Sequence, residues 1–410
     1  MKILWLSHLV PYPPKGGVLQ RSHNLIKELA KYHEVHLISF IQKDMIESMF
    51  PDLETGLTEA KSELEKFCGS VELCPIPSEL EKFGKYRLAI KSLFSRDSYT
   101  INWLKSRRFT ELVKTSVREN TFDAIHVDTI SLAPYIYLFP EAKMILDHHN
   151  VESHMMLRRA GTDNNWLRKL YYYQEGLKLQ HYEKKICPQF DINVTCSDLD
   201  AERLSQIACD VHTVTIPNGV DTDYFISKNA DKESNTMVFA GGLNWYPNAG
   251  AMQYFIDHIW SELKQKAPDA KMYLIGKHPK EKFIELSKND ENFVLCGFVD
   301  DVRPYIDRAT VYVCPILEGG GTKLKILDAL AMGAALVASP EACEGIDVTN
   351  EKNVLIAHSP NEYVAHILKL FADKNLGETL GNNGRILMEQ GYSYHAIGKE
   401  FSSVIEKLAS

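Results

Sequence analysis

Residues 319–339 read GGGTKLKILDALAMGAALVAS, and the order of the parts decides the fold. An apolar run ending at Cys314-Pro315 leads into Gly319, Gly320, Gly321 and Thr322. A helical pattern follows over Lys323–Met332, with Thr322 or Gly321 expected as its cap and Gly333 as the glycine just past its end. Ala335–Ser339 then reads as the next strand. Strand, glycine turn, helix, strand is the repeating unit of a parallel α/β sheet. At such a turn the free amides of the first helical turn and the positive end of the helix dipole point at one small volume. Lys323 or Lys325 adds charge there, so the turn suits a diphosphate without a metal. Asp328, in the second turn, is placed for its carboxylate to accept hydrogen bonds from ribose hydroxyls. A tightly packed βα turn also uses glycine, but three glycines with two lysines at a strand's carboxyl end exceed what packing requires.

The same rhythm runs outward in both directions. Strands are predicted at Ile3–Ser7, Val35–Phe40, Val71–Pro75, Ala124–Val127, Met144–Asp147 and Ile192–Cys196 in the first half. In the second half they fall at Thr236–Ala240, Lys271–Ile275, Phe293–Cys296, Thr310–Pro315 and Ala335–Ser339. Helices are predicted over Leu19–Lys31 and over the long unbroken pattern Trp166–Cys187. The turn-rich stretch Ile216–Ala230 marks a boundary. The organisation expected is a first domain over 1–215, a linker over 216–232, a second domain over 233–389 and a C-terminal helix over 390–410 that returns to the first domain. Both domains are expected to be Rossmann-like, doubly wound and parallel, facing one another across a cleft at the carboxyl ends of their sheets.

With 410 residues the chain is long enough for two cores, and 45% hydrophobic with 24% charged residues is the composition of a globular enzyme. No run reaches the ~20 apolar residues of a membrane-spanning helix. MKILWLSHLVPYPP reads as a buried first strand rather than a signal peptide, and a cytoplasmic protein is expected. The eight cysteines are scattered without a CxxC pair, which speaks for reduced thiols rather than a disulfide framework or zinc site. A net charge of −8 argues against nucleic acid as a partner. Residues 81–119 run the other way, with ten basic and four acidic side chains interleaved with Phe83, Tyr86, Leu93, Phe94, Trp103 and Leu104. Such a segment is either a solvated amphipathic helix pair or a surface that rests on anionic lipid, where each basic residue contributes roughly 1 kcal/mol.

Further candidates lie at other strand ends. Gly16 and Gly17 follow the first strand and precede a helix, where backbone amides can approach a phosphate or a sugar; the spacing is not GxGxxG, so dinucleotide binding is not supported. Asp147-His148-His149-Asn150-Val151-Glu152 follows the fifth strand, where a histidine can bond a sugar hydroxyl or a phosphate oxygen. His148, His149 and His154 also raise a metal site, but adjacent histidines do not readily face one ion and a fourth ligand is not apparent. Asp221 and Asp223 form a DxD, which holds a cation in some nucleotide-sugar enzymes; in the turn-rich boundary it reads as a decoy.

Six stretches occur in order: KILWLSHLVPYPPKGG (2–17), LDHHNVES (146–153), IPNGVDTDYF (216–225), FAGGLNWYPN (239–248), LCGFVDDVRPYI (295–306) and PILEGGGTKLKILDALAMGAALVASPEACEGI (315–346). Together they resemble the retaining glycosyltransferases of family 4, which have the GT-B fold, and specifically a sub-group with a GGGT-[KR]-LKIL turn. The resemblance implies a metal-independent, retaining transfer of a sugar from a nucleoside diphosphate to a hydroxyl, with no cofactor beyond the donor substrate. It implies that Gly16 and Gly17 lie near the donor phosphate and the acceptor, and that His149 contacts the transferred sugar. Gly297, Phe298 and Val299 would present backbone groups to the base. Gly320, Gly321 and Thr322 would cradle the diphosphate, and Asp328 would hold the ribose.

Two departures from the family pattern stand out. A glutamate expected eight residues before Asp328 is Gly320, so either Glu318, ten before it, replaces that acid through a shifted loop or the donor sugar is held by backbone alone. An Arg and a Lys expected after Gly242 are absent, Asn244, Trp245 and Asn248 standing there instead, so Lys323 or Lys325 would supply the charge. The family's usual roles imply a glycan or lipid-linked acceptor in bacterial surface polysaccharide or lipopolysaccharide assembly, at the inner face of the plasma membrane. A GT-B nucleotide-sugar 2-epimerase and a catalytically silent, partner-binding relative are the alternatives.

Overall fold

The computed structural model describes residues 1–14, 17–139, 141–318 and 321–409. The chain divides into two compact units, one of Met1–Pro217 together with the segment from Ile397 onward, the other of Asn218–Ala396. The stretch expected as a linker is therefore shared out. Ile216 is buried in the core of the first unit, while Val220 and Phe225 are buried in that of the second. Asp221 accepts from the backbone amides of Asp223 and Tyr224, so the first acid of the DxD caps its own turn.

The first unit is a seven-stranded parallel sheet: β1 Lys2–Ser7, β2 Glu34–Ile41, β3 Ser70–Pro75, β4 Ala124–Asp128, β5 Lys143–His148, β6 Ile192–Thr195 and β7 Thr213–Thr215, in the order β3-β2-β1-β4-β5-β6-β7. The second is a six-stranded parallel sheet: β8 Glu233–Ala240, β9 Lys271–Ile275, β10 Phe293–Gly297, β11 Ala309–Cys314, β12 Leu336–Ala338 and β13 Leu355–Ile356, in the order β10-β9-β8-β11-β12-β13. Both are doubly wound, and the strand order reverses beside β1 in one and β8 in the other, which is where ligands bind in such sheets. Two strands escape the sequence pattern, β7 and β13. They have three and two residues, too few for any periodicity to register.

The strands nearest the switch points are buried on both faces, as covered parallel strands must be. Ile3, Leu4, Trp5 and Leu6 in β1 and Val311, Val313 and Cys314 in β11 are fully buried. The predicted helices are found at Gly17–Leu29 and Trp166–Ile186. Residues 81–119 form three helices rather than a pair, at Gly84–Leu93, Tyr99–Asn102 and Arg107–Glu119. The C-terminal helix Tyr394–Ala409 buries Ile397, Phe401 and Ile405 in the first unit's core. It ties down through His33 Nε2 and Ser402 Oγ at 2.8 Å. The cysteines are free. Among the described residues no helix is long and apolar enough to cross a membrane.

Candidate functional site

In the second unit, the helix after the glycine turn is Leu324–Ala331, one residue shorter at its start than expected. Its cap is Lys323, in extended backbone and without a side-chain capping bond, rather than Thr322 or Gly321. Gly320 lies outside the described residues. Gly321 adopts φ 67°, the left-handed region that glycine enters without cost. The Thr322 hydroxyl is buried and has no hydrogen-bond partner among the described residues. At the other end, Ala334 N–H bonds the Ala329 carbonyl and Gly333 N–H that of Leu330, a Schellman closure. Gly381 then passes so close that a Cβ on it would strike the Gly333 carbonyl. That contact fixes the helix axis, and with it the direction in which its first amides point.

The two lysines part company. Lys323 Nζ donates to the Gly321 carbonyl at 2.8 Å and stands 3.5 Å from the Glu344 carboxylate, on the turn itself. Lys325 Nζ reaches instead to the carboxyl end of β8. It donates to Asn248 Oδ1, lies 4.6 Å from the centre of the Phe239 ring, and fills the space that a side chain on Gly241 would take. Asn248 in turn donates to the Gly242 carbonyl at 2.9 Å. Gly242 and Asn244 are exposed at this strand end. Burial pushes the Lys325 amine down to about 8 and the Asp328 carboxyl up to about 8. At neutral pH the amine keeps its charge while the acid is mostly neutral, so this wall is net positive. Glu318 is exposed. At the end of β10, two strands from β8, Gly297 has φ 68°, Phe298 is exposed with Lys277 Nζ 4.1 Å from its ring centre, and Val299 is half-buried.

A separate crevice of about 490 Å³ in this unit is lined by Ser227, Lys232, Asp307 and Arg385. Its polar groups serve the protein: Asp307 receives Ser227 Oγ and the Lys228 amide, and Arg385 caps the Ala331, Phe225 and Thr222 carbonyls. It is a packing seam.

In the first unit, parallel register sets Ser7 beside Asp128 and Asp128 beside Asp147 at the carboxyl edge. Asp128 is fully buried. Its Oδ2 accepts from Ser7 Oγ and from Ser22 Oγ on the helix Gly17–Leu29, both at 2.9 Å. Its Oδ1 meets His149 Nε2 at 2.5 Å. His8 Nδ1 is 3.0 Å from the Asp128 carbonyl and 3.7 Å from Oδ2. Burial alone would raise this acid, but His149 and His8 outweigh it and hold it well below the ordinary 3.8. Burial likewise opposes charge on His149, and the Asp128 carboxylate overcomes it, lifting the imidazole above 6.5. Thr129, next along the chain, is held at φ 120°, a region a β-branched residue enters only where its surroundings force it.

His8, Asp128 and His149 are metal-ligand types brought within 4.8 Å of one another. Two ligands of one tetrahedral ion would stand about 3.4 Å apart, so the 2.5 Å contact is that of a direct hydrogen bond. His148 is buried against Asn193 Oδ1 at 3.0 Å and serves the core. Asp147 forms a bidentate pair with Arg21, at 3.0 and 3.2 Å, and Arg21 also caps the Ile216 and Pro217 carbonyls. Gly16 lies outside the described residues; Gly17 opens its helix. Sequence reasoning singled out His149 but not Asp128, His8, Ser7 and Ser22, which the structure gathers around it. The available signal was position: Asp128 ends a strand at the edge that already carried the DHHN stretch.

With that geometry in hand, comparison with known proteins is informative. Residues 15–224 match the profile described as Glycosyltransferase Family 4, and residues 234–373 that described as Glycosyl transferases group 1. The chain belongs to glycosyltransferase family 4. An uncharacterized 44.6 kDa protein in the cps region of Klebsiella pneumoniae is 20% identical over 99% of both chains. An uncharacterized glycosyltransferase of Methanocaldococcus jannaschii is 26% identical over 26% of this chain and 27% of its own. Among solved structures, sucrose-phosphate synthase from Thermosynechococcus elongatus superposes with a TM-score of 0.70 at 15% identity over 100% and 99% of the two chains. Anabaena HepE in complex with UDP-glucose does so at 0.66 and 14% over 99% and 100%. The fold of this family 4 glycosyltransferase is GT-B.

Proposed function

We propose that this glycosyltransferase moves a sugar from a nucleoside diphosphate to an acceptor hydroxyl with retention of configuration, as a member of the sub-group with the GGGT-[KR]-LKIL turn. The observation that carries the reading is the buried Thr322 hydroxyl, without a partner among the described residues, at a helix start with no side-chain cap. A diphosphate supplies the acceptors that this hydroxyl and the free amides lack. Gly320 and Gly321 complete the cradle, Lys325 supplies charge, Asp328 takes the ribose, and Gly297, Phe298 and Val299 take the base; a solved neighbour, HepE, binds UDP and glucose. In the first unit Gly16, Gly17 and His149 serve the transferred sugar and the acceptor. The leaving diphosphate takes the acceptor's proton on the same face while amides and Lys325 stabilise its growing charge.

No metal is needed in this reading. Asp221 is occupied by its own turn, and His149 and Asp128 bond each other directly. A thermal-shift screen of UDP- and GDP-sugars, with and without EDTA, tests it. A true donor at a hundred times its Kd adds about 2.7 kcal/mol, with or without chelator. No shift with any donor sinks the assignment, and a shift lost in EDTA sinks metal independence.

The acceptor in this reading is lipid-linked and anionic membrane is the docking partner, as for an enzyme at the inner face of the plasma membrane. Support comes from the surface of the first unit. Phe83, Tyr86, Ile90 and Phe94 stand exposed along the helix Gly84–Leu93, and Trp166, Leu167, Leu170 and Tyr173 along the start of the helix Trp166–Ile186. Lys178 and Gln174 of the latter bond the Ser92 and Leu93 carbonyls at the end of the former, so the two stripes adjoin. Between the helices Gly84–Leu93 and Tyr99–Asn102 lies a groove of about 500 Å³ with an apolar floor and Arg87, Lys91 and Lys105 at its rim. The relative from the cps region of Klebsiella pneumoniae is in keeping with surface polysaccharide or lipopolysaccharide assembly.

A further inference from the structure

Asp128 is more completely surrounded by donors than any packing role demands. A buried carboxylate is costly unless its lone pairs are engaged, and here two hydroxyls from different elements, Ser7 on β1 and Ser22 on the following helix, both lie 2.9 Å from Oδ2, with the Leu9 carbonyl a second acceptor 2.8 Å from Ser7 Oγ. That leaves Oδ1 for a single partner, His149 Nε2. A carboxylate can only accept, so Nε2 carries the proton in this contact. The imidazole is thereby fixed in direction, with Nε2 as the protonated nitrogen that faces Asp128. Its Nδ1 has no hydrogen-bond partner among the described residues. The ring keeps 9% of its side-chain surface, whereas Asp128 keeps none. The arrangement has the logic of an orienting acid behind a working histidine, on a strand edge where the ligand crevice of a doubly wound sheet lies.

We propose that Asp128 is a positioning residue of the transfer reaction, holding His149 by Nε2 so that Nδ1–H is the atom offered to the transferred sugar. The inference rests on His149 being the sugar contact. The charged groups facing His149 are Asp128 on β4, Asp147 on β5 and Glu152 at the start of the helix Glu152–Thr162 on the acidic side, with Arg21, His8 and His148 opposing. Glu152 is pushed up to about 7 by burial, so near neutrality its opposition to deprotonation is partial and Asp128 dominates. The result is an imidazolium that persists above the usual histidine range and offers its charge to the transferred sugar. Its Nδ1–H acts as a hydrogen-bond donor and need not be transferred.

The test pairs Asp128→Asn with His149→Ala in the full-length enzyme. Imidazole nitrogen shifts in histidine-labelled protein are read across pH, and His149 is assigned by its loss in His149→Ala. In the wild type both ring nitrogens are expected to stay protonated past the ordinary midpoint of 6.5, and in Asp128→Asn the midpoint falls below it. Transfer by Asp128→Asn is expected to lose on the order of a hundredfold in kcat near neutral pH, with the donor KM little changed. An unaltered His149 titration in Asp128→Asn overturns the proposal, as does full kcat when His149→Ala is impaired. If Asp128→Asn does not fold, a wild-type midpoint at or below 6.5 overturns it. Full activity of His149→Ala is a different result: it removes the sugar-contact reading on which the proposal rests.

Discussion

Lys323 and Lys325 are two residues apart, and at that spacing side chains on a helix start point to different sides. Lys323 holds the glycine turn through the Gly321 carbonyl, while Lys325 stands at the end of β8 beside Asn248. We expect Lys325→Ala to lower kcat by roughly a hundredfold, the loss typical of one charge-stabilising group. Lys323→Ala should act mainly on the donor KM by loosening the turn. Steady-state kinetics with a purified acceptor separates the two, and equal profiles would contradict the division. This distinction was not legible in the sequence, because it depends on Gly241, at the far-off end of β8, leaving room where a Cβ would meet Lys325 Nζ.

At the level of elements, the helix Glu152–Thr162 begins against the helix Trp166–Ile186 through one buried acid. Glu183 accepts from the Ser153 amide at 3.0 Å and from its hydroxyl, and burial nevertheless pushes it up to about 7. A carboxyl whose folded value is raised above the ordinary 4.5 stabilises the fold most at low pH, and that contribution fades as pH rises through about 7. Glu183→Gln should therefore flatten the fall of Tm between those limits, removing up to about 3 kcal/mol of pH dependence; an unchanged slope in calorimetry would contradict it. The exposed stripes on the helices Gly84–Leu93 and Trp166–Ile186 make a second prediction. Exchanging Phe94 and Trp166, at 88% and 71% exposure, for Asp should leave the unfolding free energy within about 0.5 kcal/mol of wild type but abolish flotation with anionic vesicles. Retained flotation would count against the membrane contact. Half of this surface was readable from the basic, aromatic 81–119 run. The stripe from Trp166 was hidden, because its helix has no net amphipathic bias over its length and only packing shows which end is uncovered.

Over the whole molecule, the chain leaves the first unit at Pro217, builds the second, and returns at Ile397. The first unit is thus completed by residues that follow the whole of the second in the chain. Phe401 is fully buried and meets His126 edge-on at 5.7 Å, while Gly398 permits backbone-close contact with Glu28. Phe401→Ala should cost about 3–5 kcal/mol and lower the unfolding transition of the first unit in calorimetry. The transition of the second unit should stay where it was. A single, uniformly shifted transition would show that the two units unfold together.

By itself the sequence determined the elements that have length and period: eleven of the thirteen strands, the two long helices it predicted, and the glycine turn with its helix, because local backbone preference and burial pattern are written in adjacent residues. Tertiary structure decided what parallel pairing brings together. Ser7 and Asp128 end β1 and β4 and His149 directly follows β5, more than a hundred positions apart at the extremes, and only the register β1–β4–β5 sets their side chains at hydrogen-bonding distance. The same is true of Lys325 and Asn248. Proximity across a sheet edge carries no signature along the chain, so the site was visible as motifs, and its electrostatics appeared only when the motifs met.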